Sequence, residues 1–70
     1  MRENDSFVLS KPAEATVIGE RRSVVLPEGT VVVVVLVLGD SNSPAAYEVE
    51  AYMPNEDIYA LATIEACDIS

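Results

Sequence analysis

The chain has 70 residues, a formal net charge of −8 at pH 7, one cysteine and no histidine. This length makes a single domain, 1–70, of marginal stability. The lack of a second cysteine excludes an intrachain disulfide, and the lack of histidine argues against a metal or other cofactor. Oligomerisation is then the remaining means of stabilisation. The negative charge repels phosphate and anionic lipid, so it argues against nucleic acid and membrane partners and favours a cation or a basic protein.

The N-terminal third predicts short strands separated by turns. Met1 to Ser6 lacks the apolar stretch of a secretory signal, which favours a cytoplasmic location. Phe7 to Leu9 is a first strand, since a proline soon follows and cannot donate to a ladder. A short extended piece at 16–18 and a strand at 24–26 come next. The turn after them is Pro27-Glu28-Gly29, in which the positions of proline and glycine suit a tight turn.

The central segment predicts an antiparallel meander of three strands. Thr30 to Leu38 is dominated by β-branched residues and is far shorter than the roughly 20 residues that span a bilayer. After a turn at 39–44, Ala46 to Tyr52 alternates apolar and acidic positions, which is typical of a strand with one wet face. A five-residue loop at 53–57 then leads into the third strand, Ile58 to Ile64.

Three stretches carry a resemblance to a known family: Leu26-Pro27-Glu28-Gly29-Thr30-Val31-Val32, Tyr47-Glu48-Val49-Glu50, and Tyr59-Ala60-Leu61-Ala62-Thr63-Ile64 with the acidic close at Asp68. With these the chain resembles a family of small bacterial proteins that is catalogued as a domain of unknown function. The resemblance implies an all-β, SH3-like barrel of about five strands around the meander, and it implies no activity. The closing segment, 65–70, predicts either a single helical turn or a short last strand.

The predicted register divides the meander into two faces. The five-residue loop places Tyr52 opposite Ile58, Ala51 opposite Tyr59 and Val49 opposite Leu61, so large and small residues alternate across the inner face. At the other hairpin, Leu38 is predicted to lie opposite Ala46. The inner face forms the predicted core with Phe7 and Leu9: Val31, Val33, Val35, Val37, Tyr47, Val49, Tyr59 and Leu61. The outer face carries the alternate positions: Val32, Val34, Leu36, Leu38, Ala46, Glu48, Glu50, Tyr52, Ile58, Ala60, Ala62 and Ile64.

The residues predict no enzyme. Cys67 has no imidazole to serve as its base, and no serine lies in a Gly-x-Ser-x-Gly elbow, so no catalytic residue is identified. The segment 39–43 offers oxygen ligands but lacks the spacing and the final glutamate of an EF-hand, and it is better explained as a turn.

The predicted outer face is too apolar for a surface that only meets water. A strand with water on one side alternates, whereas Val31 to Leu38 has valine or leucine at all eight positions and therefore predicts burial on both sides. Contiguous exposed apolar patches mark interaction surfaces. The first hypothesis is therefore a homodimer that buries this face through Val32, Val34, Leu36, Leu38, Ile58 and Ile64.

Two alternatives remain open for the same face. In the first, it binds a cationic amphipathic small molecule or a basic peptide, with Glu48 and Glu50 meeting the charge and Tyr52 contacting the apolar part. In the second, residues 13–22 fold back over the face as a lid, with one of their two arginines paired to one of these acids.

Overall fold

The computed structural model describes residues 1–40 and 42–69, so Ser41 of the predicted turn and Ser70 of the closing segment lie outside the described residues. Within these ranges the chain forms six strands and one single-turn 3-10 helix, Ala66–Asp68. The strands are β1 (Ser6–Val8), β2 (Ala13–Val17), β3 (Ser23–Leu26), β4 (Val31–Asp40), β5 (Ser43–Met53) and β6 (Ile58–Glu65). The helical alternative for the closing segment is therefore confirmed.

The strands form one antiparallel sheet in the order β1-β4-β5-β6-β2-β3, which curls into a half-barrel. The predicted three-stranded meander is β4-β5-β6. The prediction of a small all-β, barrel-like fold is confirmed, with one strand more than expected because Ala13–Val17 and Ser23–Leu26 pair as a hairpin that extends the sheet beyond β6.

The core lies on the concave side of the half-barrel. Its largest fully buried side chains come from four strands: Val17, Leu26, Val32, Val34 and Val49. Four alanines share this side and let the curled strands pack without crowding, as small residues do inside small barrels: Ala15, Ala51, Ala60 and Ala62. Leu9 and Tyr47 are also buried here, as predicted.

The predicted register of β4 is right at the hairpin and wrong beyond a β-bulge. Leu38 lies opposite Ala46, as predicted. Val34 and Leu36, however, face successive residues of β5, so Val35 between them is an extra residue on the longer strand. A bulge of this kind interrupts the strict alternation of faces along a strand.

The bulge reverses the predicted faces of the first half of β4. Val31, Val33 and Val35 were predicted to be core, and they are 61%, 39% and 42% exposed. Val32 and Val34 were predicted to face outward, and both are fully buried. The core prediction is therefore wrong for this half of β4.

A shorter loop produces the second correction, on β6. Met53 pairs with Ile58, so the loop has four residues instead of the predicted five. The Glu56 N–H donates to the Met53 carbonyl at 3.2 Å, and Asp57 closes the turn with φ 53°. Because a shift of one residue moves every side chain to the other face, the predicted inner and outer sides of β6 are exchanged. The residues that join the core are Ala60, Ala62 and Ile64.

Gly39 in the β4–β5 hairpin is expected to be costly to replace. It has φ 92°, and a Cβ atom there would lie 3.0 Å from the Ala45 backbone nitrogen. We expect Gly39→Ala to lower the free energy of unfolding by about 1 to 3 kcal/mol, since an L side chain is strained in this region and also meets backbone. Gly19→Ala is the matched control, because Gly19 has φ 85° and no atom within 4 Å of its added Cβ. Urea denaturation that gave equal losses for the two variants would contradict the role of the Ala45 contact.

Candidate functional site

The outer face is the side of the sheet opposite the core. It carries large apolar side chains that are 39–61% exposed: Val8, Ile18, Val25, Val31, Val33, Val35, Leu36, Tyr52 and Tyr59. Apolar patches that extend over several strands mark interaction surfaces. The structure therefore has an apolar outer face, although only Leu36 and Tyr52 of these residues were predicted to lie on it.

Glu50 lies near the middle of the outer face. It pairs with Val33 on β4 and with Leu61 on β6, so apolar side chains flank its half-buried carboxylate on both sides. This row continues across the sheet to both edges, ending at Ser6 on β1 and Ser23 on β3. An acid in this setting favours a cationic group that approaches the face.

Glu48 occupies the neighbouring row and already has a partner. It lies opposite Leu36 and Thr63, and the Thr63 hydroxyl donates a hydrogen bond to its carboxylate. Glu48 is half-buried, like Glu50. The two predicted acids therefore share the outer face but differ in how their carboxylates are satisfied.

The third row, which we call the tyrosine row, holds five large apolar side chains that are 46–61% exposed. Val8 pairs with Val31, and Tyr52 pairs with Tyr59. Continuing the register from Val33 and Glu50 by two residues places Val31 opposite Tyr52. The Ile18 N–H donates to the Tyr59 carbonyl at 2.9 Å, which adds Ile18 at the end of the row.

A hydrogen bond fixes the aromatic part of this row. The rings of Tyr52 and Tyr59 lie 5.0 Å apart between centroids and are tilted by 44°. The Tyr52 hydroxyl donates to the Asp57 carboxylate at 2.8 Å, and this bond raises the pKa of the phenol above its usual range because a phenolate could not donate it. Tyr52 is thus held in one orientation, with its ring on the outer face.

A shallow depression adjoins the tyrosine row. It is lined by two acidic residues, Glu50 and Asp57, by Tyr59 and Ile18, and by the chain at Ile58, whose side chain lies on the core side. Carboxylates beside an aromatic ring form the setting in which organic cations bind. The predicted ligand residues Glu50 and Tyr52 lie in or beside this depression, and Glu48 lies one row away.

The predicted interface residues divide into two groups. Val32, Val34 and Ile64 belong to the core, so their assignment to an exposed face is wrong. Ile58 is half-buried and lies on the core side of β6. Leu36 is 46% exposed on the outer face, where the half-buried Leu38 also lies.

The predicted lid is wrong. Ala13–Val17 is a strand of the sheet, paired with β3 and β6, and it does not cross the outer face. Arg22 lies 3.3 Å from Glu56 and 3.8 Å from Glu20. Within the described residues no ion pair reaches Glu48 or Glu50.

A small acidic cluster lies at the C-terminal end of the described chain. Glu65, Cys67 and Asp68 place their ligand atoms within 4.8 Å of one another. The Lys11 ammonium lies 2.8 Å from Asp68, and their hydrogen bond and opposite charges raise the pKa of the Lys11 ammonium above its usual value. Because a lysine already supplies a cation to this exposed cluster, we assign no metal to it.

Sequence reasoning missed the valines and the tyrosine that dominate the outer face. Val31, Val33 and Tyr59 were predicted to be core. The face of Tyr59 depends on the length of the loop before β6, and the faces of the two valines depend on the bulge at Val35. The helical part of the described chain is one turn, and no helix in it is long and apolar enough to cross a membrane.

Comparison with known proteins adds no family to this description. No family model, curated protein or solved structure matches the chain significantly. The resemblance to small bacterial SH3-like barrels therefore stays a prediction.

Proposed function

We propose that this is a non-catalytic interaction protein that self-associates as a symmetric dimer through its outer face. The observation that supports the proposal is the tyrosine row, in which Val8, Val31, Tyr52, Tyr59 and Ile18 are 46–61% exposed side by side. Removing such apolar surface from water is favourable by roughly 25 cal/mol per Å². A second copy that presents the same row would remove both tyrosine rows from water.

The size of the molecule is compatible with a stable dimer. Its principal extents are 36 × 22 × 17 Å, so its broadest side covers about 600 Å² as an ellipse, and two such sides reach the lower end of the standard interface range, about 1,200 Å² in total. A two-fold interface is isologous, so the same residues meet on both chains. A row that crosses the sheet can therefore pack on its own symmetry mate.

The charges determine where the two-fold axis lies. Each chain carries −8, and Glu48 and Glu50 lie on the outer face. An axis through the tyrosine row places Glu50 one row and Glu48 two rows away from the axis. The repulsion between these carboxylates across the interface opposes association and is screened by salt over a Debye length of about 8 Å at 0.15 M ionic strength.

We expect Val31→Asp to dissociate the dimer. The substitution places a carboxylate within the proposed contact, between Val8 and Tyr52, so the dimer dissociation constant should rise by roughly 100-fold or more. Val25→Asp is the matched control, because Val25 and Val31 are both 61% exposed, but Val25 lies on the edge strand β3. Sedimentation velocity over a range of concentrations measures both variants against the wild type.

Salt provides a second arm of this experiment. Raising the ionic strength should tighten the wild-type dimer, since it screens the repulsion between the Glu48 and Glu50 carboxylates of the two chains. A wild-type chain that stays monomeric at high micromolar concentration would overturn the proposal, and so would equal dissociation by Val31→Asp and Val25→Asp.

A second candidate function is the binding of a cationic amphipathic small molecule or a basic peptide. The depression beside the tyrosine row supports it, because two acidic residues, Glu50 and Asp57, line it together with Tyr59. Hexyltrimethylammonium is a suitable probe. A monomeric wild type whose Tyr59 resonances shift saturably with this probe, and a Glu50→Gln variant that binds it more weakly, would favour this function over the dimer.

A further inference from the structure

One side of β4 is covered over only part of its length. On the side away from β5, β1 pairs with β4 at 31–33, and the Asn4 N–H donates to the Val34 carbonyl at 2.7 Å. Within the described residues no strand and no backbone hydrogen bond reaches this side of β4 beyond Val34. We call residues 35–39 of this side the free edge.

The N-terminal segment turns away from the free edge. The Asp5 N–H donates to the Arg2 carbonyl at 3.1 Å, so residues 2–5 form a turn. The Met1 ammonium lies 3.5 Å from the hydroxyl of Tyr47, which is a buried core residue. The start of the chain is therefore directed to the core side of the sheet, and it leaves the edge of β4 open.

Hydrogen bonds elsewhere in the sheet show which way β5 directs its backbone groups. The Ile18 N–H donates to the Tyr59 carbonyl at 2.9 Å, so Tyr59 faces β2. In an antiparallel pair, opposite residues are either bonded to each other or both turned to the outer sides. Tyr52, which pairs with Tyr59, therefore faces β4. Alternate residues face the same neighbour, so Glu48 faces β4 as well.

Val37 directs its backbone N–H and C=O groups to the free edge. Leu36 pairs with Glu48, which faces β4, so Leu36 is bonded to β5. Adjacent residues of a strand face opposite neighbours, so Val37 faces away from β5. A donor and an acceptor in this position are a template to which another strand adds.

The free edge carries no charge and no proline, although the chain as a whole carries −8. Its five residues are valine, leucine, valine, leucine and glycine. Natural sheets protect open edges with charged residues or proline. The other two edge strands follow charged residues, since Asp5 precedes β1 and Arg22 precedes β3. A second copy can therefore approach the free edge of β4 without bringing charges of this stretch together.

We propose that two copies of this chain pair antiparallel through their free edges, about a two-fold axis at Val37. The Val37 N–H of each copy donates to the Val37 carbonyl of the other, which satisfies both groups. Leu36 of one copy then lies opposite Leu38 of the other on the outer face. The two Asp40 carboxylates are six residues apart along the pair, roughly 20 Å, which exceeds a Debye length at physiological salt.

This contact is separate from the tyrosine row. The row crosses β4 at Val31, six residues and roughly 20 Å from Val37. The edge contact therefore does not depend on the dimer, and one chain has room for both. Where both form, dimers join at their edges into longer assemblies, a step that rests on the proposed function.

The test is amide hydrogen exchange of the full-length, ¹⁵N-labelled protein at micromolar and at millimolar concentration. Exchange of the Val37 N–H should slow by roughly fivefold or more at the higher concentration, because pairing gives it an acceptor. Ser23 and Val25 are internal controls. The Val17 N–H donates to the Arg22 carbonyl at 2.9 Å, so Arg22 faces β2. Ser23 and Val25 therefore direct their N–H groups to the open edge of β3, and their exchange should not change.

Leu36→Lys should abolish the slowing at Val37. It places two ammonium groups on the same face of the pair, two residues apart, where like charges repel. Val33→Lys is the matched control, since Val33 and Leu36 are 39% and 46% exposed and lie opposite Glu50 and Glu48. β1 already covers β4 at Val33, so this variant should keep the slowing.

Val31→Asp separates the edge contact from the tyrosine-row dimer. It should leave the slowing at Val37 unchanged, so failure of the dimer and failure of the edge contact give different results. Exchange at Val37 that does not depend on concentration would overturn the edge contact. Equal slowing at Ser23 and Val25, or slowing that persists in Leu36→Lys, would overturn it as well.

Discussion

Val34→Lys should unfold the protein, whereas Val33→Lys should leave it folded. Val34 is fully buried in the core, and its neighbour Val33 is 39% exposed on the outer face. An unpaired buried charge carries an effective penalty of several kcal/mol. A chain of 70 residues has a total stability of only about 4 to 10 kcal/mol, so this penalty removes most or all of it.

Val33→Lys is a matched control because the same side chain enters one residue away. The new ammonium would stand opposite Glu50, where an opposite-charge pair across strands is mildly stabilising, by about 0.2 to 1 kcal/mol. Far-UV circular dichroism and thermal melting measure both variants. A folded Val34→Lys together with an unfolded Val33→Lys would show that the bulge at Val35 is absent and that the valines face the other way.

The contrast between β4 and β5 shows what the sequence reveals about faces. On β5, the acids Glu48 and Glu50 alternate with apolar residues, so the buried side was predicted correctly. On β4, Val31 to Leu38 is apolar at every position, and a uniform run contains no information about which valines are buried. A bulge within such a run leaves no trace in the sequence, because the inserted Val35 resembles its neighbours.

The prediction for β6 failed for a different reason. Ile58 to Ile64 is also nearly uniform in hydropathy, so its faces depend on the length of the preceding loop. That length is set by backbone geometry, with Asp57 in the left-handed region at φ 53° and Met53 still in the ladder. Composition does not specify this conformation, although aspartate tolerates it better than most residues.

The residues of the candidate site could be predicted only as far as the inner and outer faces of their strands could be. Glu48, Glu50 and Tyr52 were correctly predicted to lie on the outer face, because the alternation of apolar and acidic residues on their strand identifies its two faces. Their apolar neighbours were assigned from β4 and β6, and most of those assignments changed with the register. The apolar outer face survives this correction because both sides of β4 are apolar, so either register exposes valine.

Leu26→Ala is expected to cause the second large effect. Leu26 is fully buried, and it ends the edge strand β3, where it pairs with Ala13. Truncation to alanine removes transfer free energy and leaves a cavity, at a cost of about 2 to 5 kcal/mol. Neighbouring core positions are already alanines. Few side chains can therefore move into the gap and reduce this cost.

Val25→Ala is the matched control for Leu26→Ala, because it separates the effect of burial from the effect of β propensity on the same strand, β3. Val25 precedes Leu26 on β3 and is 61% exposed, so its truncation should change the free energy of unfolding by about 0.5 kcal/mol or less. Both substitutions lower β propensity, so the difference between their denaturation midpoints reports the burial of Leu26 alone. If the two variants lost equal stability in urea, the β2–β3 hairpin would contribute little to the core, and the sheet would be stabilised by its meander. A large loss confined to Leu26→Ala would instead establish that the hairpin closes the core on the side of β2.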